Sequence, residues 1–241
     1  MWRVDVWYSP PAPSMNPSPD TWEFAGSTTA KSISAVNTKI FALTNSIALV
    51  DWVGNNLSLP YVTVLNDPPP PIDMLECSPL SAGAASPGLY ALYGAQSDVV
   101  ANGNTLYFAG VNGTNSVVNF YTYTYGSSAC GSGVNGGWSS VSQISVGAPT
   151  NKLSNWHVSL SWSSGSIIVG YGVDSQLGFA IGTGSGSTWS WFVLPSVQGV
   201  SGIQGGLTAA FAPSGSGSGS VGMIWVQKIS STRYAVEFAL A

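Results

Sequence analysis

Charged residues are the scarcest feature of this sequence. Only 7% of its 241 residues are Asp, Glu, Lys or Arg, where about 25% is usual in a soluble domain. The polar surface must therefore come from Ser, Thr, Asn, Gln, Gly and Tyr, a composition that suits the outside of a cell or of a virus particle. The six basic residues are spread along the chain. Without a basic cluster, the sequence predicts no nucleic-acid partner.

Long apolar runs are also missing. No stretch approaches the roughly 20 apolar residues that a membrane-spanning helix needs, so the sequence predicts no membrane-spanning segment. The first eight residues alternate and include Asp5, unlike the apolar core of a signal peptide. We therefore expect an extracellular or virion location. The chain is either an exported protein whose signal precedes this numbering or, as we favour, a virion protein released by assembly and lysis.

Cysteine is scarce, with Cys77 and Cys130 as its two occurrences. In an oxidising setting these residues would pair and close a loop of about 50 residues, which contributes on the order of 4 kcal/mol by the chain-entropy model. The alternative is two buried free thiols. We expect the disulfide, on condition that the location is extracellular.

The residue sets that carry most chemistry are absent. His157 is the one histidine, and no Gly-x-Ser-x-Gly elbow accompanies it. One His and two distant Cys make no zinc set. The Gly/Ser runs at 182–186 and 214–220 lack the Lys of a phosphate loop, so they are interpreted as hairpin tips. The ten carboxylates form no motif, and the sequence predicts no catalytic, cofactor-binding or metal-binding residues and no cofactor.

Strand patterns and turn residues are abundant, whereas helical periodicity is rare. Residues 2–8 and 119–125 alternate, and residues 166–171 and 222–226 are dense apolar runs, as expected of strands buried on both faces. Asn-Gly and Gly-Ser turns separate these segments. The sequence therefore predicts an all-β fold.

One phrase, a polar turn followed by a β run, recurs four times. Measured from Ser46, Thr105, Ser166 and Ser220, the intervals are 59, 61 and 54 residues. Four units of three or four strands each are typical of β-propeller blades. We predict a β-propeller-like fold of about four blades, with two packed β-sandwich domains as the alternative. The clearest unit runs from Trp156 to Val197 and offers four strands in about 40 residues.

The third unit carries a family resemblance. Its residues Gly186, Ser187, Thr188 and Trp189 match the Gly-x-Thr-Trp half of the loop motif in sialidase-like (Asp-box) β-propellers. Gly182 and Gly184 stand where that family has Ser and Asp. The resemblance implies a propeller architecture but not sialidase activity. That activity needs three arginines, whereas this chain has two, Arg3 and Arg233.

Two proline-rich stretches interrupt the strand pattern. We interpret residues 1–241 as one β domain, in which residues 1–20 form an N-terminal strand with a proline-rich arm. Residues 66–88 form a long loop or a linker. The arm is placed to pair with the C-terminal strand at 234–238 and close a ring, or to join a neighbouring subunit's sheet.

Aromatic residues are plentiful, with ten Trp and ten Tyr. Tyr121, Tyr123 and Tyr125 share one strand face. They either pack against another sheet or present an uncharged contact surface for sugars or proteins. Asn56 and Asn112 begin glycosylation sequons.

Together these features predict a non-enzymatic structural or attachment protein of an extracellular particle, either a virion component or a surface appendage. Its partners would be other subunits and a cell-surface glycan. In composition it is similar to virion or surface proteins of thermoacidophilic archaea. The first alternative is a carbohydrate-binding propeller or lectin, and the second is a secreted glycosidase with an atypical carboxylate pair.

Overall fold

A computed structural model of the chain supplies the structure. The described residues are 3–8, 23–29, 35–44, 46–53, 61–66, 74–75, 89–90, 97–112, 117–124, 139–145, 157–163, 165–173, 176–194, 197, 200, 203–212 and 220–240. Within these ranges the secondary structure consists of strands and turns, so the all-β prediction is confirmed.

Eighteen strands account for most of the described residues. In chain order they are β1 (Arg3–Tyr8), β2 (Glu23–Thr29), β3 (Ala35–Ala42), β4 (Ser46–Val53), β5 (Tyr61–Asn66), β6 (Met74–Leu75), β7 (Leu89–Tyr90), β8 (Ser97–Asn102), β9 (Thr105–Asn112), β10 (Val117–Thr124), β11 (Ser139–Ser145), β12 (His157–Ser163), β13 (Ser166–Val173), β14 (Gln176–Ser185), β15 (Thr188–Val193), β16 (Ile203–Ala212), β17 (Ser220–Lys228) and β18 (Tyr234–Leu240).

The strands form five antiparallel sheets that follow the chain order. Sheet A is the pair β1–β2, and sheet B has the order β3-β4-β5-β6. Sheet C has the order β11-β10-β9, with β7 and β8 both pairing with β9. Sheet D is β12-β13-β14-β15, and sheet E is β16-β17-β18. Sheets B to E are thus sequential up-and-down sheets, as propeller blades are.

The repeat seen in the sequence corresponds to one structural position. Ser46, Thr105, Ser166 and Ser220 are the first residues of β4, β9, β13 and β17. These strands pair with β3, β8, β12 and β16, respectively. Two of the preceding turns use glycine at positive φ, Gly103 at 57° and Gly165 at 84°, a conformation that suits a tight hairpin.

Strands β3, β8, β12 and β16 of successive sheets lie side by side, β3 against β8, β8 against β12 and β12 against β16. This arrangement makes them the innermost strands of a propeller-like array, so the propeller-like prediction is confirmed and the two-sandwich alternative is not needed. Apolar clusters fill the spaces between neighbouring sheets. Their buried members include, from the B–C space to the D–E space, Val50, Phe108, Phe120, Val169, Phe179 and Met223.

The N-terminal strand is present, but its partner differs from the one proposed. β1 pairs with β2 from Arg3↔Thr29 to Tyr8↔Glu23 rather than with the C-terminal strand. Within residues 66–88, the predicted long loop, Met74–Leu75 pairs with β5 and adds a fourth strand to sheet B. The other residues of that segment after Asn66 lie outside the described ranges.

The glycine-rich run at 182–186 is mostly strand rather than hairpin tip. β14 continues to Ser185, and the turn is confined to Gly186 and Ser187. Gly182 lies opposite Trp191 in the register, and a Cβ at Gly182 would lie 2.5 Å from Cζ3 of Trp191. The glycine is therefore needed because the indole ring crosses the strand there.

Replacing Gly182 with alanine is expected to lower the free energy of unfolding by about 1–3 kcal/mol, the usual cost of overpacking. Trp191 cannot easily move, because its ring lies against Phe120 at 4.9 Å and its Nε1 donates to Ser142. Urea denaturation measures the change. Thr183→Val is the control, since Thr183 is exposed, and we expect it to stay within about 0.5 kcal/mol of wild type. Equal stability of the two variants would contradict the packing argument.

Candidate functional site

A buried carboxylate connects the innermost strands of three sheets. Asp98 is the second residue of β8, and its Oδ1 accepts hydrogen bonds from Lys39 Nζ on β3 and from its neighbour Val99 N at 2.8 Å. Its Oδ2 accepts from Leu160 N on β12, also at 2.8 Å. The side chain is 12% exposed, and that of Lys39 is 39% exposed. One carboxylate therefore joins sheets B, C and D.

The position of Asp98 follows from the way innermost strands are paired. Such a strand has a sheet partner on one side only, so alternate N–H groups point toward the propeller axis without a ladder partner. Leu160, which lies opposite Val169 of β13, directs its N–H to Asp98 instead. The hydrogen bond satisfies a buried backbone donor, and the ammonium of Lys39 compensates part of the carboxylate's charge.

His157 lies at the start of β12, three residues before Leu160, which corresponds to about 10 Å along a strand. It is half-buried, and burial lowers the pKa of the imidazole because desolvation disfavours its charged form. The innermost strands β8 and β12 begin at the same end of the propeller. Asp98 and His157 lie near the starts of these strands, so both residues are near that end. That His157 has no catalytic role stays a prediction.

Five aromatic side chains meet in the space between sheets C and D. Tyr107 stacks on Trp162 with ring centroids 5.1 Å apart, and Phe120 meets the edges of Trp189 and Trp191 at 5.1 Å and 4.9 Å. The three indole side chains are only partly buried. This C–D aromatic cluster therefore contributes both to the core and to the surface.

The C–D aromatic cluster is held by polar contacts at its rim. Trp191 Nε1 donates to Ser142 Oγ on β11 at 2.7 Å, and Trp189 Nε1 donates to the Gly186 carbonyl at 3.3 Å. Burial raises the pKa of the Tyr107 hydroxyl, and hydrogen bonds to Thr105 and Asn102 partly oppose that rise. Both indole N–H groups are thus satisfied, and the rings are held in place.

The tyrosine ladder is not a contact surface. Tyr121 and Tyr123 are 4% and 1% exposed and pack in the cluster between sheets B and C. Of the two alternatives, packing against another sheet therefore holds for these two residues, because β10 is covered on both faces by neighbouring sheets. Tyr125 lies outside the described residues.

The other predicted sites are only partly within the described ranges. Asn112 is the last residue of β9, while Asn56, Cys77 and Cys130 lie outside the described residues. The disulfide and the glycosylation sites stay predictions. In the described part of the chain, no group of three or more His, Cys, Asp or Glu residues is arranged to hold a metal ion. The same part contains no helix long and apolar enough to cross a membrane.

Solved structures with the same type of fold exist, although their sequences differ widely. A triple Arg-to-Ala mutant of AofleA from Arthrobotrys oligospora is 12% identical with a TM-score of 0.50, and the match covers 92% of this chain and 58% of that chain. An endo-arabinase from Bacteroides thetaiotaomicron VPI-5482 is 11% identical with a TM-score of 0.41, over 91% of this chain and 81% of that chain. A thermostable family-43 glycoside hydrolase is also 11% identical with a TM-score of 0.41, over 84% and 70%.

At these identities the likeness concerns the fold alone. No protein-family model matches the sequence, and no curated protein is significantly similar to it. The matches include propeller structures but show no Asp-box relationship and no link to virions or to thermoacidophilic archaea.

The comparisons correct two sequence-based predictions. The sequence analysis favoured a non-enzymatic structural or attachment protein and predicted no enzymatic activity. The similar structures are instead family-43 glycoside hydrolases and an endo-arabinase. Both predictions are corrected on that ground, while the likeness itself shows the fold alone.

Proposed function

We propose that this chain is an extracellular glycoside hydrolase whose site lies at the end of the propeller where the innermost strands begin. The observation that carries the proposal is Asp98. It is a carboxylate at the meeting point of three innermost strands, and its two oxygens are oriented by donors from all three sheets. Such preorganisation is a property of catalytic carboxylates. The charge-poor composition supports the extracellular location.

The contacts of Asp98 indicate its role in this proposal. Glycoside hydrolysis uses two carboxyl groups about 5–10 Å apart, one of them the proton donor, around a transition state with positive charge on the sugar. Asp98 accepts three hydrogen bonds, one from an ammonium. Because all three of these contacts come from donors, Asp98 is assigned as the carboxylate that faces the positive charge and not as the proton donor.

The proton donor must then be another carboxyl group. Asp51 is the first residue to test, because it pairs with Thr38, the neighbour of Lys39, near the end of β4. The end of β4 lies beside the start of β3. Both are at the end of the propeller where Asp98 lies. Asp174 follows β13 directly in the sequence and is the next to test.

Carbohydrate binding without hydrolysis is the second candidate function. It is favoured by the C–D aromatic cluster, in which Trp162 and Trp189 are rigidly held and partly exposed. Aromatic faces of this kind stack on sugar rings. Under this alternative, the protein binds polysaccharide and releases no product.

Asp98→Asn is expected to lower the rate of glycoside hydrolysis by about 10²–10⁴-fold, while the amide oxygen still accepts from Leu160 N. Product release is measured on a panel of aryl glycosides and plant polysaccharides, including arabinan. Binding is measured in parallel by affinity electrophoresis. Glu237→Gln is the matched control, because Glu237 lies on β18, the outer strand of sheet E, and full activity is expected of it.

Three outcomes separate the candidates. Wild-type turnover that Asp98→Asn abolishes, while the variant remains folded at the assay temperature, supports hydrolysis at this site. Binding by the wild-type protein without turnover on any substrate overturns the hydrolase proposal and favours the second function. Turnover that survives in Asp98→Asn removes Asp98 from the site.

A further inference from the structure

Sheet E ends in an outer strand with an unusual surface. Along β18, the side chains of Tyr234, Val236, Phe238 and Leu240 alternate with more buried residues and are 56%, 73%, 72% and 71% exposed. Ile224 of β17, opposite Phe238, is 50% exposed on the same face. These five residues are termed the β18 face.

The β18 face is large for a monomer surface. It presents on the order of 500 Å² of apolar area, since one aromatic side chain alone offers about 150–250 Å². Isolated exposed apolar residues are common, but contiguous patches of this size usually mark interaction sites. A standard interface uses about 800 Å² per partner, so the β18 face with an adjoining strand edge approaches that area.

The adjoining strand edge is the outer edge of β18. Sheets B and D have four strands, whereas sheet E has three, and no strand within the described ranges pairs with the outer side of β18. Ile229 N donates to the Arg233 carbonyl, so the backbone groups of Arg233 point toward β17. Because backbone groups alternate along a strand, those of Tyr234, Val236 and Phe238 point to the outer edge.

We propose that β18 pairs antiparallel with β18 of a second copy of this chain, with a two-fold axis at Ala235. This register places Arg233 of each copy opposite Glu237 of the other, giving two ion pairs of opposite charge. It also places Tyr234 opposite Val236 twice on the β18 face. Aromatic and β-branched residues, and opposite charges, are favourable cross-strand pairs. The inference does not depend on the proposed hydrolase activity.

The charges select this register over its neighbours. A two-fold axis at Glu237 would place two carboxylates opposite each other, which is destabilising. An axis at Val236 would place Glu237 opposite Ala235 and leave Arg233 without a carboxylate partner. Charges on an edge strand normally discourage pairing. Here they are opposite in sign and four residues apart, so they are self-complementary about Ala235.

Charge reversal tests the proposed dimer. We expect the full-length chain to sediment as a dimer, and Arg233→Glu or Glu237→Arg to raise the dissociation constant roughly tenfold or more, since each reversal creates two like-charge pairs. The double variant R233E/E237R restores the opposite pairs and should return the constant to near the wild-type value. Lys228→Glu is the control with the same change of charge, and it should leave association unchanged.

A disulfide tests the register directly. At the axis, Ala235 lies opposite its own copy with Cα atoms about 4.5 Å apart, within the range that a disulfide bridges. Ala235→Cys should therefore form a covalent dimer under mild oxidation, whereas Ala239→Cys, on the same face four residues along, should not. The proposal is overturned by a monomer at all concentrations tested. It is equally overturned by a dimer whose dissociation constant is unchanged by the charge reversals and that forms no cross-link at residue 235, whether or not it forms one at residue 239.

Discussion

Replacing Asp98 with alanine is expected to lower the free energy of unfolding by about 2–4 kcal/mol, one of the two largest effects that we predict for a single substitution. The change leaves the Leu160 N–H buried without an acceptor and removes the partner of Lys39. An unsatisfied buried donor costs about 1–3 kcal/mol. The loss at Lys39 is smaller, because its side chain is 39% exposed and solvent screens the ion pair.

Guanidinium denaturation of Asp98→Ala, Asp98→Asn and Lys39→Met separates these contributions. The asparagine variant keeps an acceptor for Leu160 N and should lose less stability than the alanine variant. Lys39→Met reports the ion pair alone and should have the smallest effect. If Asp98→Ala unfolds at the same denaturant concentration as wild type, the carboxylate does not connect the three innermost strands energetically. The denaturation result for Asp98→Asn also helps to interpret its activity. If the variant is stable, a large loss of activity cannot be attributed to unfolding.

Replacing Phe120 with alanine is expected to cost about 3–5 kcal/mol, the range for removing a buried aromatic side chain. Phe120 is fully buried and lies at the centre of the C–D aromatic cluster, 4.9–6.0 Å from the ring centroids of Tyr107, Trp189 and Trp191. Removing its ring leaves a cavity and eliminates three aromatic contacts at the junction of sheets C and D.

Phe192→Ala is the matched control for this experiment. Phe192 follows Trp191 on β15 of sheet D and is 65% exposed, so its loss should change the free energy of unfolding by less than about 1 kcal/mol. Thermal denaturation, together with the tryptophan fluorescence of the cluster, measures both variants. A similar cost for the two phenylalanines would show that the cluster does not support the fold.

The proposed hydrolase site and the proposed dimer interface lie on different parts of the molecule. Asp98 lies at the centre of the propeller-like array, and the β18 face lies on its outermost strand. Dimer formation through β18 therefore leaves the end of the propeller near Asp98 accessible to a polysaccharide. Glycoside hydrolysis and dimer formation are measured independently, so either proposal can fail while the other holds.

Several local features could be predicted from the sequence because they depend on neighbours along the chain. The alternation in β1 and the Asn-Gly turn before Thr105 gave strands and hairpins where they were expected. The repeat at Ser46, Thr105, Ser166 and Ser220 located the strand next to the innermost one in four sheets. Side-chain period and turn chemistry act over a few residues, and a repeated unit has to bury the same faces each time.

Other features were misread because they depend on contacts across sheets. The run from Gly182 to Gly186 has the composition of a loop, but the Trp191 ring requires Gly182 within β14. The spacing of Tyr121 and Tyr123 left open whether their shared face is exposed, and sheet B covers that face. A period of two shows that side chains share a face and does not show whether that face is covered.

The sequence by itself determined that this chain is β-rich, is poor in charge and is built from a repeat of 54–61 residues. These properties follow from composition and from short-range patterns. Only the tertiary structure decided that Asp98, Lys39 and Leu160, separated by about 60 residues at each step, meet at one carboxylate. The reason is that the innermost strands of successive sheets lie side by side, so residues that are one repeat apart along the chain come into contact.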